Sequence, residues 1–246
     1  MKSQLTSLIK AFRTSETSEL EVVLSERGEK GISFEPFENL FGLLNNWTEK
    51  GHLEFLGSKA VKDLFYHSSV RSRCVVGFED ENITKTKIHS IHAKCPERKH
   101  VEFHFTLKDE VPLADPIAMN NEPIEVRVYL LWEYEYKNLF RYSLKQVQTG
   151  KNVEHACHNE IIYEVEIELI RNLELLKEFN NDDDEELAHK FIEKSLDLCG
   201  RASKKTNIDD KLTMELFSAP NQKNKEKTEP KRKYVSKKLK ENSEQN

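Results

Sequence analysis

Two short stretches carry glutamate at every second position. ELEVVL, near the start, holds Glu19 and Glu21, and YEVEIEL holds Glu164, Glu166 and Glu168. Read as a strand, the second puts its three glutamates on one face and Tyr163, Val165, Ile167 and Leu169 on the other. The carboxylates then stand roughly 7 Å apart along the strand. Massed carboxylates repel unless something positive lies among them. A hard divalent cation is the natural partner, since Mg²⁺ and Mn²⁺ take oxygen ligands. Cations alternate in the same way elsewhere: Arg71 with Arg73, Lys85 with Lys87, and Arg141 with Lys145, while Arg127 lies between Glu125 and Tyr129. Guanidinium and ammonium groups gathered on one face suit a polyanion, and phosphate fits best. A metal ion and a set of cations around a chain of phosphates describes phosphoanhydride chemistry.

The elements that must hold these residues are mostly strands. ELEVVL, HLEFLG, SVRSRCVV, ITKTKIHSIHAK, HVEFHFTLKDE, IEVRVYLLWEY, LFRYSLKQVQ and IIYEVEIELI give about eight, most of them separated by turn-type residues. Nearly all have one apolar and one charged face. Lys85, Lys87 and His89 are expected on one face; so are Glu102, His104, Thr106, Lys108 and Glu110. Taken strand by strand, a sheet with one side on a core and the other in water accounts for the pattern. Taken together, the charges are sorted: acids dominate two strands far apart in sequence, and cations dominate several others. About eight antiparallel strands can close into a barrel. The fold expected is α+β, a closed eight-stranded antiparallel β-barrel with helices packed outside and the charged faces inside. Phe103, Phe105, Val126, Val128, Val165 and Ile167 should then pack outward. Three helices are expected, from QLTSLIKAF, FENLFGLLNNW and DDDEELAHKFIEKSLDLCG, the last opening on acids that suit a helix N-terminus and stopping at Gly200.

Composition narrows the classes. The chain has 246 residues and 33% charged side chains, enough for one domain with a core that needs no staples. No run approaches the ~20 apolar residues of a membrane span, and the N-terminus lacks the apolar stretch of a signal peptide. Four scattered cysteines, without a C-x-x-C, read as reduced thiols of an intracellular protein. His155, Cys157 and His158 lie close together but lack a second ligand pair for zinc. The net charge of −5 hides an asymmetry: nine Lys/Arg against four Asp/Glu leave +5 on residues 221–246, and 29 against 39 leave −10 on residues 1–220. The expectation is a catalytic domain over 1–220 and a disordered basic tail over 221–246. The stretch PKRKYVSKKLK within that tail suits a nucleic-acid arm or a nuclear address, and a solubilising tail equally well.

At this point the motifs carry a resemblance. ELEVVL and YEVEIEL are similar to the two glutamate motifs of the triphosphate tunnel metalloenzymes. LFRYSLKQVQTG, shortly before the second motif, resembles the fungal, protozoal and viral branch of RNA 5′-triphosphatases, the β subunits of mRNA-capping enzymes. FHFTLKDEVPL, with an acid just before its proline, resembles the same branch. The likeness spans residues 17–171. It implies that Glu19, Glu21 and Glu168 ligate Mg²⁺ or Mn²⁺, that Glu164 and Glu166 bind metal waters or orient the attacking water, and that Glu110 is a further tunnel acid. It implies that Arg71, Arg127 and Arg141 hold phosphate oxygens, with Lys87 and Lys145 beside them. The chain departs from the family pattern at Val23, Glu125 and Ser143, where a basic residue, a lysine and an aspartate are usual; Lys85, Lys87, Lys94 and Lys145 could compensate.

The activity so implied is removal of the γ-phosphate from 5′-triphosphate RNA, the first step of mRNA capping. The partners so implied are that RNA and an mRNA guanylyltransferase, the capping-enzyme α subunit, with a homodimer allowed and no membrane. The location expected is the nucleus, or the cytoplasm for a viral protein. Another tunnel activity (on inorganic tripolyphosphate, on thiamine triphosphate, or in polyphosphate synthesis) and a non-enzymatic interaction module are the alternatives.

Overall fold

The computed structural model describes residues 1–78, 80–96, 100–113, 122–172, 174, 176 and 184–201. The basic tail expected over 221–246, and the rest of the chain beyond 201, lie outside the described residues. Eight strands close into one antiparallel barrel in the order β1-β5-β4-β3-β2-β6-β7-β8. They run over Ser18–Glu26 (β1), Glu54–Phe65 (β2), Val70–Val75 (β3), Glu81–Lys94 (β4), Val101–Pro112 (β5), Glu125–Tyr136 (β6), Phe140–Gly150 (β7) and Ile162–Leu169 (β8). Closure removes the edges that would otherwise invite further pairing. Three residues, Lys137, Asn138 and Leu139, join β6 to β7, and Lys137 and Asn138 adopt φ of 52° and 54°; positive φ at both positions matches the strand twist of a tight hairpin.

Helices cover part of the outside. α1 (Lys2–Thr14) buries Leu5, Leu8, Ile9 and Phe12, and α2 (Phe34–Glu49) buries Phe37, Leu40, Leu43, Leu44 and Trp47. These are the stripes that 3.6-residue periodicity requires. α3 (Val153–Cys157) is a single capped turn: the Asn152 side chain accepts a hydrogen bond from the His155 backbone N–H. α4 (Asp184–Arg201) runs past the expected stop at Gly200. Its Phe191 ring packs on Phe105 of β5 and Phe140 of β7, each 5.5 Å away between centroids. Tyr163 of β8 lies against Phe37 of α2 at 4.9 Å.

Strand alternation then decides what the barrel encloses. Phe103, Phe105, Val126, Val165 and Ile167 are at most 2% exposed and face outward, as alternation requires. Val128 also faces outward but is only half-buried, because the one-turn α3 rather than a long helix packs against β6 and β7 there.

Two bulges interrupt the strand ladders, and the second alters an expected face. In β2 the register shifts between Phe55 and Gly57, whose φ is +128°; a residue with a Cβ would be strained there. The strand continues well past the expected HLEFLG. In β4 the register shifts between Lys87 and His89. An inserted residue reverses the alternation, so His89 does not share the face of Lys85 and Lys87. It pairs instead with the outward Leu107.

Candidate functional site

Cross-strand register builds the acid patch. Glu21 of β1 lies directly opposite Glu168 of β8, and Glu19 is two residues before Glu21 on the same face. On the other side of β1, Glu19 pairs with Lys108 of β5. β7 continues the wall, with Arg141 opposite Glu168, Ser143 opposite Glu166, and Lys145 opposite Glu164. β3, which carries Arg71 and Arg73, lies across the barrel from β1 and β8.

These faces enclose a cavity of about 710 Å³. Glu19, Glu21, Glu164, Glu166, Glu168, Arg71, Lys87, Arg127, Arg141 and Lys145 all line it. The sequence placed every one of them on an inward charged face, and the fold brings them together. Glu110 stands apart. It is opposite Lys85 on the same face of β5 as Lys108, in ion pairs with Arg71 at 3.4 Å and with Lys85. These pairs tie it to two of the cavity's cations.

Nearly every inward acid is paired with a cation. Lys85 also reaches Glu19 at 2.9 Å. Lys108 contacts Glu21, and Lys145 contacts Glu166. Arg127 donates to both oxygens of Glu164 at 2.7 Å, and Arg141 lies 3.6 Å from Glu168. Lys87 is exposed and has no carboxylate partner among the described residues. Three arginines, Arg71, Arg127 and Arg141, keep a buried Nε with no hydrogen-bond partner. A buried guanidinium donor left unpaired is costly, and a phosphate oxygen is the acceptor whose charge and geometry match it.

The titrations follow from this packing. Burial pushes the Glu166 carboxyl up, but Lys145 and Lys108 outweigh it and hold it at about 2. Glu168 goes the other way. Burial and the neighbouring Glu19 charge raise it to about 7, with Arg141 opposing only in part. Burial also lowers Lys108.

Glu19, Glu21 and Glu168 form a contiguous patch of hard oxygen donors, and the crowding felt by Glu168 is what a dication relieves. The chemistry of the set therefore fits Mg²⁺ or Mn²⁺. Among the described residues no trio of His, Cys, Asp or Glu converges as a ready-made metal cluster, because Lys85 and Lys108 draw Glu19 and Glu21 towards themselves.

A second network was not legible as a site. Asp63 accepts from Arg73 Nε at 3.0 Å and from the Tyr129 hydroxyl at 3.0 Å, and Lys59 pairs with Glu133 at 2.7 Å. Lys85, Lys108, Arg73, Asp63 and Tyr129 all line the cavity, yet the resemblance matches none of them to a family position, and names only Lys85 as a compensating cation. For Lys85, Lys108 and Arg73 the period-two alternation was signal enough. Asp63 and Lys59 sit in the half of β2 that the pattern missed.

Burial alone would raise the Asp63 carboxyl, but Arg73 overcomes it and holds it below its ordinary 3.8. A folded value below the unfolded one stabilises above the unfolded value, and the gain is lost as pH falls through the folded value. Asp63→Asn is therefore expected to cost about 2 kcal/mol at neutral pH. In thermal melts from pH 7 to pH 3, its Tm should fall less steeply below pH 4 than that of the wild type. Parallel curves would show that Asp63 is not the titrating group.

The closed barrel and its enclosed, charge-lined cavity define the class of fold, that of the triphosphate tunnel. No family model and no curated protein sequence matches the chain. Solved structures do. The S. pombe Pct1 RNA triphosphatase superposes with a TM-score of 0.66 at 14% identity, over 83% of this chain and 93% of that one. Pct1 in complex with the Spt5 CTD gives 0.67 at 13% identity, over the same shares. The RNA triphosphatase domain of a trifunctional mimivirus mRNA capping enzyme gives 0.59 at 13% identity, over 82% of this chain and 96% of that one. The chain shares the fold of these RNA triphosphatases.

Proposed function

We propose that the chain is a metal-dependent RNA 5′-triphosphatase. It removes the γ-phosphate from 5′-triphosphate RNA and leaves a diphosphate end for a guanylyltransferase in mRNA capping. The observation that carries this reading is the division of charge inside one closed cavity. Glu19, Glu21 and Glu168 form one patch, and Arg71, Arg127 and Arg141, with unpaired buried Nε donors, lie around it. The fold shared with RNA triphosphatases agrees with it, and the basic composition of residues 221–246 favours a nuclear setting.

In this reading Glu19, Glu21 and Glu168 would hold Mg²⁺ or Mn²⁺, which when bound polarises a phosphoryl oxygen and offsets developing charge. Arg71, Arg127, Arg141 and Lys145 bind and orient the phosphate chain, so that little motion remains before transfer. Glu166, held at about 2, stays ionised at neutral pH. It can only accept hydrogen bonds, which suits it to orient the attacking water rather than to store a proton. Glu164 fixes Arg127, and Glu110 fixes Arg71 and Lys85.

The test is phosphate release from γ-labelled triphosphate RNA, ATP and inorganic tripolyphosphate, with and without Mn²⁺. Release that requires the metal, with the highest kcat/KM on RNA, is the expected result. Release without metal, or none from any of the three, rejects the proposal. A preference for tripolyphosphate moves the chain to another tunnel activity.

A further inference from the structure

At one end the cavity wall changes character. Phe65, Tyr66, His67 and Ile124 line it there, where the charged wall gives way to aromatic and aliphatic groups. Phe65 closes β2, His67 opens a one-turn 3-10 helix over His67–Ser69, and Ile124 immediately precedes β6. The turn is built to hold its shape. The Tyr66 N–H donates to the Val70 carbonyl at 2.9 Å, and the Ile124 N–H donates to the Phe65 carbonyl at 2.8 Å. Tyr66 is 7% exposed and anchors the turn, and Ser69 adopts φ 63°. On this fixed base His67 is exposed and Phe65 half-buried, while Ile124 is 53% exposed. Backbone hydrogen bonds thus hold three apolar or π surfaces at this end of the cavity.

The register orders what lies behind them. Phe65 is opposite Arg71 of β3. Asp63, two residues or roughly 7 Å deeper along β2, is opposite Arg127 of β6 and Arg73 of β3. Lys145 and the glutamates follow across β7 and β8. The wall thus runs from the apolar rim past Arg71, then Arg73 and Arg127, to Lys145 beside Glu164 and on to Arg141 beside Glu168. A nucleoside 5′-triphosphate laid along it sets its base at the rim and its phosphates among the cations. Lys87, exposed and lining the same cavity, is available to the first phosphodiester beyond that nucleoside.

We propose that the lip formed by Phe65, His67 and Ile124 is a nucleoside subsite, which takes the first nucleoside of a triphosphate-ended chain by stacking and apolar contact. It rests on the triphosphatase reading and adds to it: the lip makes the site select nucleoside-bearing triphosphates over inorganic ones. Stacking has no edge readout, so all four bases should serve. Stacking of one base is worth about 1–3 kcal/mol, or about 5- to 150-fold in affinity.

The test uses binding as well as turnover. The wild type and a His67→Ala/Ile124→Ser double variant, both changed at exposed side chains, are titrated with β,γ-imido-ATP and with β,γ-imidotriphosphate, which lacks the nucleoside. kcat/KM is then measured on triphosphate RNA and on tripolyphosphate. The wild type should bind the nucleoside-bearing ligand more tightly by that factor. The double variant should lose the preference while holding the inorganic ligand within about twofold, and its kcat/KM should fall on RNA alone. Phe65→Ala, with Tm as a check on folding, should act in the same direction. Equal affinities in the wild type, or equal losses on both ligands in the variant, would overturn the subsite. If the wild type fails to hydrolyse RNA, only the triphosphatase reading falls, since the binding comparison needs no turnover and still decides the lip.

Discussion

Glu21→Gln and Glu168→Gln should each lower metal-dependent phosphate release from triphosphate RNA by about 10²–10³-fold. Glu54→Gln, on an exposed position of β2, should leave it unchanged. The amide keeps the shape of the carboxylate but is a much poorer ligand for a hard cation. The two variants part company in the metal-free protein. Glu21 is 2% exposed and paired with Lys108, so neutralising it strands a buried ammonium and should lower Tm. Glu168 is pushed up to about 7 by burial and by Glu19, so neutralising it relieves repulsion and should hold or raise Tm. Wild-type rates in both variants would end the metal-patch reading. Loss of activity together with an equal fall in metal-free Tm for both would reduce these glutamates to structural ion pairs.

Exchanging the charges of Lys145 and Glu166 separates stability from catalysis. Lys145→Glu alone sets a third acid beside Glu164 and Glu166, and Glu166→Lys alone sets a new cation beside Lys145 and Lys108. Either break of a buried pair should cost roughly 3–5 kcal/mol, or about 6–20 °C in Tm for a domain of this size. The double variant restores an opposite pair between the same two positions and should recover at least half of that loss. Activity should not recover with it. The ammonium would then stand where water must be oriented, and the carboxylate where phosphate must bind, so kcat/KM stays down by about 10²-fold or more. Thermal melts beside rates on triphosphate RNA decide it. A double variant that regains both stability and rate would mean that the pair is architectural only.

Barrel and helices were legible because each rests on local periodicity. Leu5, Leu8, Ile9 and Phe12 recur at helical spacing, and Phe103 and Phe105 recur at strand spacing, whatever the rest of the chain does. The glutamate patch was legible for the same reason. Glu164, Glu166 and Glu168 share a face by alternation alone, and that face must turn inward once Val165 and Ile167 are buried against helices. Period two cannot register an insertion, so alternation alone groups His89 with Lys85 and Lys87, and the β4 bulge parts them. The second half of β2 was missed because Ala60 and Lys62 face outward where no long helix covers the barrel. The apolar outer face that marks the other strands is absent there.

Outside the second half of β2 and the bulged part of β4, the sequence by itself determined which residues point into the barrel, because alternation and the buried outer face leave only one choice. The tertiary structure alone decided which cation meets which acid. Closing the barrel sets the register of strands far apart in the chain, and so puts Lys85 between Glu19 and Glu110, Arg73 on Asp63, and Glu168 directly across from Glu21. It also carried Phe65, His67 and Ile124 to one rim, where neither spacing nor composition places them together.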